Sequence, residues 1–500
     1  MNEKTILDIL SLQNRWWYDK TNFPFKKTHK IKRSDYYYLK NVALPKEEVL
    51  VVLGPRGVGK STVLMELIKT QLGFNDKEYF EDITKYKTPT TGIDGKSILY
   101  ISFDDVNLQK QKLLDLIKIY AKLVLKKDIN KLGEKAFIFF DEIQNVEDWG
   151  EQIKLIQDLG LPLKFVISGS SSVAMLDEAS KATRRVDVYR MVPLKFSDYL
   201  CFHIPEKKFF DFKDEFKFKR EKLVDLFSKN DVQGIYDLFL QAYNDFKPYE
   251  TEIQVGFHEY IIKGGYPGFF KIKDYSECTS KLSQTFWLGF HKDLVLAKGI
   301  GDPIGMKELT QYIASISSCE TNYTSLMNKS QATTNTGMMK KYLYHLENAF
   351  LVNQSHLYKT TVSKKGSSFK IYMNDLAIRN MLTSMLNEFL LDNDIQYGFA
   401  IETLIFDHLL RFNFKFKESP TLFYWKDKKT NREVDVVLDF PKKPIPVEVK
   451  KGDFPNDSEV AGLKSFCEKY KVPGIVTCGQ KLELIGNILF VPHWLFVMIC

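Results

Sequence analysis

Eight residues, Gly54-Pro55-Arg56-Gly57-Val58-Gly59-Lys60-Ser61, fit the pattern GxxxxGK[ST] and are followed by Thr62. The chemistry this spacing serves is phosphate binding. Glycines let the backbone wrap closely and turn its N–H groups toward phosphate oxygens, and the start of a following helix adds a favourable dipole. In this reading Gly54 to Thr62 bind ATP, Lys60 neutralises the β- and γ-phosphates, and the Ser61 hydroxyl faces Mg²⁺. A second set of residues ends the run Phe137-Ile138-Phe139-Phe140 with Asp141-Glu142. An acid at the end of a buried strand is costly without a cation or donors beside it. Beside a phosphate loop, Asp141 is expected to hold Mg²⁺ through water and Glu142 to polarise an attacking water. A third polar stretch, Ser168-Gly169-Ser170-Ser171, offers a hydroxyl, from Ser168 or Ser170, that orients this water. A tight Ser/Gly turn with a helix N-cap reads equally well there.

These residues need a scaffold that gathers strand ends. From Glu48 to about Leu200, short apolar runs alternate with amphipathic stretches, the pattern of a parallel α/β sheet. Strands are predicted over Val49–Gly54, Ser97–Asp105, Ala136–Glu142 and Leu163–Ser171; central strands read as continuous apolar runs because both faces are covered. The phosphate loop directly follows the first of them and precedes a helix-forming run, the context that such a loop requires. Beyond Cys201 the texture changes. Lys207–Lys222 mixes Phe with dense charge, and helical patterns fill Lys281–Phe350. Three helices over Lys307–Val352, then a hairpin-like Leu357–Met373 tipped by Lys364-Lys365-Gly366, predict a winged-helix unit. From Ile401 the pattern restarts as α/β, with strands near Leu422–Trp425, Glu433–Asp439, Ile445–Val449 and Gly474–Thr477.

Composition bounds the answer. The chain has 500 residues, 44% hydrophobic and 27% charged, which excludes disordered and collagen-like proteins and calls for at least two domains. A net charge of +8 permits nucleic-acid contact without demanding it. The six cysteines form no CxxC pair, so reduced thiols are expected rather than a zinc site. No apolar run reaches the ~18 residues that span a bilayer, and no signal-peptide core is present. A cytoplasmic protein without a membrane partner is expected. The pair Trp16-Trp17 is expected to pack on the sheet, and the basic run Lys26–Arg33 to be a solvated loop.

With these residues in view, the chain resembles the prokaryotic AAA-type P-loop ATPases that carry a C-terminal domain of unknown function with a restriction-endonuclease-like core. The matching pieces are NRWWYDK (Asn14–Lys20), GPRGVGKST (Gly54–Thr62), YISFDD (Tyr100–Asp105), FIFFDEIQNVEDW (Phe137–Trp149), ISGSSS (Ile167–Ser172) and VPLKFSDYL (Val192–Leu200), with GGYP (Gly264–Pro267), YLYHLENAFLV (Tyr342–Val352), REVDVVL and PVEVKKG (Arg432–Gly452) completing them. The resemblance implies nucleotide binding through Gly54–Ser61 and hydrolysis through Asp141 and Glu142. Where the family carries Gly-Arg ahead of Pro193, this chain has Arg184-Arg185. By that count Arg185 matches the family's arginine, which implies a γ-phosphate sensor, in cis or across a subunit interface; a surface basic pair is the other reading.

Near the C-terminus, side chains alternate along a strand, so Glu448 and Lys450 share one face of PVEVKK, and Asp435 lies opposite Val434 and Val436. Asp435, Glu448 and Lys450 are then able to converge as the D…ExK set of the PD-(D/E)xK nucleases, in which two carboxylates bind Mg²⁺ and the lysine stabilises charge. Glu402 resembles the additional acid of that superfamily. A cross-strand salt bridge would give the same pattern. The expected order is an N-terminal extension (1–45), an AAA-type P-loop ATPase (46–200), a helical insert (201–300), a winged-helix-like unit (301–375) and a nuclease-like α/β domain (376–500). Two functions follow: an ATP-driven enzyme acting on DNA, or a nucleotide switch controlling a protein partner, with oligomeric state open in both.

Overall fold

The computed structural model describes residues 1–22, 32–74, 91–170, 172–181, 186–203, 207–296, 300–359, 368–413, 420–440 and 443–500. The chain divides into two units, Met1–Val192 and Pro193–Cys500. The first is built on five parallel strands: β1 (Val49–Leu53), β2 (Ile98–Ser102), β3 (Ala136–Asp141), β4 (Leu163–Gly169) and β5 (Val186–Arg190). Their order is β2-β3-β4-β1-β5. Every residue of β1 is buried, as its unbroken apolar run requires. The register sets Leu53 beside Gly169 and Ser102 beside Asp141. The carboxyl ends of β1, β3 and β4 therefore form one edge, where parallel α/β sheets place their ligands. Four of the strands were predicted within a few residues. β5 was not, because its alternating, half-exposed VDVYR lacks the apolar run of a central strand.

The N-terminal extension covers the outer edge of this sheet. After helix Glu3–Gln13, the Asn14 side-chain amide exchanges two 2.7 Å hydrogen bonds with the Tyr100 backbone of β2. Gln13 pairs likewise with Ser102, and the Trp17 indole N–H donates to the Ile98 carbonyl at 2.7 Å. Side chains thus satisfy backbone groups that an open edge strand would expose. Trp16 and Trp17 are both buried, as expected for residues that pack on the sheet.

The second unit carries a nine-stranded sheet: β6 (Glu320–Asn322), β7 (Val352–Leu357), β8 (Ser368–Met373), β9 (Thr421–Lys426), β10 (Glu433–Asp439), β11 (Ile445–Val449), β12 (Gly474–Cys478), β13 (Glu483–Ile485) and β14 (Ile488–Pro492). Their order is β13-β14-β12-β11-β10-β9-β7-β8-β6. The β7–β8 hairpin does not stand apart from the C-terminal strands. β7 runs parallel to β9, with His356 beside Phe423, so one sheet continues through both segments. It also curls: Lys426 of β9 reaches Glu320 of β6 at 2.8 Å, although β7 and β8 lie between those strands. The insert helices Lys207–Lys229 and Val232–Phe246 enclose the buried final helix, His493–Ile499. Phe239 stacks on Phe496, and Arg220 donates to the carbonyls of Ile499 and Cys500 at 3.1 and 2.8 Å. A basic side chain thereby satisfies the free carbonyls of a helix end inside an apolar environment. Among the described residues no helix is long and apolar enough to cross a membrane.

Candidate functional site

In the first unit, Gly54 to Gly59 link β1 to the helix Lys60–Gln71. Gly59 has φ +97°, in the left-handed region that side chains resist, and it caps the helix with no side-chain acceptor. Gly54 lies so close to the residue that follows β5 that a Cβ there would fall 2.0 Å from the Met191 carbonyl oxygen. The loop is thus a backbone cradle whose shape depends on glycine. Lys60 is buried and its ammonium donates back to the Gly54 and Pro55 carbonyls at 2.9 and 3.1 Å, within the loop. Ser61 is half-buried and Thr62 exposed on the first helical turn.

Asp141 closes β3 and is buried; its carboxylate accepts from the Tyr100 hydroxyl at 2.9 Å and from the Ser168 hydroxyl. Those donors answer the cost of an acid at a buried strand end. Glu142 adopts a left-handed backbone, φ 54° and ψ 42°, a strained state for a residue with a Cβ. Its carboxylate is fixed by the Gln144 amide and by the Ser170 hydroxyl at 3.2 Å, and Gln144 also donates to Ser170 at 3.0 Å. Ser170 and Glu142, expected separately, therefore belong to one network whose middle member, Gln144, was not anticipated. Arg185 lies outside the described residues.

Arg33 is a second residue missed from sequence, since the run ending in it read as a solvated loop. The structure corrects that for Lys32 and Arg33, both buried. Lys32 pairs with Glu66 at 3.2 Å. Arg33 pairs with Asp35 at 2.5 Å and donates to the carbonyls of Val58, inside the phosphate loop, and Val192 at 2.5 and 2.6 Å. Asp35 in turn accepts from Tyr189 of β5. Arg33→Ala removes a buried charge partner of Asp35 and a donor to the Val58 carbonyl. Equilibrium unfolding of the first unit is expected to show a loss of about 3 kcal/mol or more, with weaker ATP binding by fluorescence titration.

In the second unit, the sequence-predicted Glu402, Asp435, Glu448 and Lys450 do come together. Glu448 and Lys450 pair at 2.6 Å, and the Val449 N–H donates to Asp435 at 2.9 Å. The centre of the cluster is a residue not anticipated, Lys370 of β8, only 3% exposed. Its ammonium lies 2.8 Å from Glu402, 2.6 Å from Glu433 and 3.0 Å from Asp435. The Tyr372 hydroxyl donates to Glu402 at 3.0 Å. Burial, then the charge of Asp435, raises the proton affinity of both Glu402 and Glu448. Burial acts on Asp435 in the same sense, yet Lys370, Lys450 and the Val449 N–H outweigh it and hold that carboxyl below its ordinary value. For Lys370, burial opposes the charge, but Glu402 and Asp435 raise its affinity for the proton well above normal. Of the nearby lysines, Lys426 is paired with Glu320 and Lys451 with Asp394, each at 2.8 Å, while Lys428 and Lys429 are exposed.

The five-stranded parallel sheet, with a glycine-rich loop after β1 and acids after β3, fits a P-loop NTPase. Comparison with known proteins agrees: residues 46–200 match the family described as AAA domain. Residues 254–388 and 397–496 match two domains of unknown function, DUF8612 and DUF4143. The chain is similar to two uncharacterized proteins of Methanocaldococcus jannaschii. MJ1637 is 25% identical over 94% of this chain and 89% of its own length; MJ1544 is 24% identical over 79% and 73%. A solved structure of C. elegans PCH-2 covers 40% of this chain and 44% of its own, at 9% identity and a TM-score of 0.17, too weak a likeness to define the fold.

Proposed function

We propose that this protein binds and hydrolyses ATP at the carboxyl edge of β1, β3 and β4. The observation that carries the reading is that Asp141, held by Ser168, and the Glu142–Gln144–Ser170 network stand at the ends of adjoining strands next to β1 and its glycine-rich loop. Loop N–H groups and Lys60 hold the phosphates, with Lys60 exchanging its carbonyl partners for phosphate oxygens. The donor set fits Mg²⁺: a hydroxyl at Ser61, and a carboxylate at Asp141 that would act through water because both of its oxygens already accept from hydroxyls; these are hard oxygens of the kind that ion takes. When bound, the ion neutralises charge on the phosphates. Glu142 takes the proton of the attacking water, and Gln144 and Ser170 hold its carboxylate against the strain of its backbone. Arg185 is assigned as the γ-phosphate sensor on the resemblance alone.

A second reading, action on DNA by a winged-helix-like hairpin and a nuclease-like sheet, is favoured by one observation, the convergence of Glu402, Asp435, Glu448 and Lys450. Its rival is a nucleotide switch whose second unit binds a protein. Phosphate release from ATP and Mg²⁺, measured with and without duplex DNA, separates them. DNA action is expected to raise the rate about tenfold or more, with strong salt dependence. An unchanged rate leaves the switch.

A further inference from the structure

We infer that Lys370 is the resident cation of the C-terminal carboxylate cluster, a tethered ammonium that occupies the oxygens a divalent ion would need, so that this centre holds no catalytic metal. The inference is independent of the ATP site and bears only on the second reading above. In a D…ExK centre, Asp435 and Glu448 would share Mg²⁺ with help from Glu402. Mg²⁺ demands near-octahedral oxygen ligands at short range. Here one Asp435 oxygen accepts from Lys370 and the other from the Val449 N–H. Glu402 is bound by Lys370 and Tyr372 through the same oxygen, and Glu448 is paired with Lys450. Glu448 Oε2 is buried without a hydrogen-bond partner and Glu402 Oε2 takes no part in either of that residue's bonds, but two oxygens from two side chains are not the near-octahedral shell that Mg²⁺ demands.

The placement of Lys370 gives the cluster a different task. Lys370 stands on β8, and Asp435 and Glu433 stand on β10, with β9 and β7 between them in the sheet. The ammonium therefore ties the two strands across the inside of the curl. A long flexible stem ending in a point charge suits such a span. The cluster is then a clamp that holds the hairpin over the C-terminal strands.

Mn²⁺ serves as the probe. The full-length protein without nucleotide, its Glu448→Gln variant and its Lys370→Met variant are titrated with Mn²⁺ and followed by electron paramagnetic resonance. Expected are the same bound Mn²⁺ in wild type and Glu448→Gln, and one additional, at least tenfold tighter site in Lys370→Met. Plasmid incubated with the wild type and Mn²⁺ is expected to stay uncut. A wild-type Mn²⁺ that Glu448→Gln removes overturns the inference, as does plasmid nicking that Glu448→Gln abolishes, or a folded Lys370→Met that gains no site. If Lys370→Met does not fold, the comparison of wild type with Glu448→Gln decides. None of these outcomes touches ATP hydrolysis.

Discussion

Lys60→Ala is expected to lower ATP hydrolysis by about a hundredfold or more, the scale seen when one preorganised charge or donor is lost from a transition-state site. The lysine is buried at the start of the helix Lys60–Gln71, so its ammonium is delivered to the loop with little freedom. The carbonyls of Gly54 and Pro55, to which it donates, are neutral acceptors. Phosphate oxygens carry full charge and bond about twice as strongly, so the lysine should move to them when nucleotide arrives. Alanine removes that interaction from both ground and transition states, and both affinity and turnover should fall. Lys60→Arg should not restore activity, because a planar guanidinium cannot replace a compact point charge inside a closed loop. The check is phosphate release together with a melting curve close to that of the wild type.

The second large effect is on stability. Lys370→Met keeps most of the stem volume and deletes the charge that Glu402, Glu433 and Asp435 surround. Breaking a buried ion pair by removing one partner costs about 3–5 kcal/mol, since the remaining charge is left without compensation. A loss of that size is expected in urea unfolding of the second unit. Adding Asp435→Asn to Lys370→Met should recover part of it, because one of the stranded carboxylates is then neutral; the cycle isolates the pairwise energy. A solvated surface lysine would give a change within about 0.5 kcal/mol.

What could be read from sequence follows from how each signal is encoded. The phosphate loop and the acids after β3 are local: strand, motif and helix lie within a few residues, and period and spacing reveal them. The edge strand β5 escaped because half-exposed strands alternate and carry charge. Gln144 and Arg33 escaped for another reason. Gln144 acts on residues of two strand ends, and Arg33 reaches Val58 from 25 positions away. Neither carries a motif, although one is a buried polar side chain and the other partly buried. Lys370 did leave a trace. It sits in Ser368–Met373, a strand otherwise filled with Phe369, Ile371, Tyr372 and Met373 and buried nearly throughout. A lysine in a buried strand must find acceptors, acidic side chains as for Lys370 or backbone carbonyls as for Lys164 of β4. Which acids they are depends on the curl of a nine-stranded sheet, and that is a tertiary fact. Alternation placed Asp435, Glu448 and Lys450 on suitable faces and their D…ExK pattern singled them out, but neither says anything of the lysine that lies among the acids.

The most direct measurement is on Glu142→Gln, comparing ATP binding with phosphate release in the full chain. Glutamine keeps the shape of the side chain and an oxygen that can accept from Ser170, but it cannot take a proton from water. The expected result is ATP affinity within about threefold of the wild type and hydrolysis reduced by about a hundredfold or more, the range assigned to a general base. Hydrolysis at the wild-type rate in Glu142→Gln would contradict the assignment of this site.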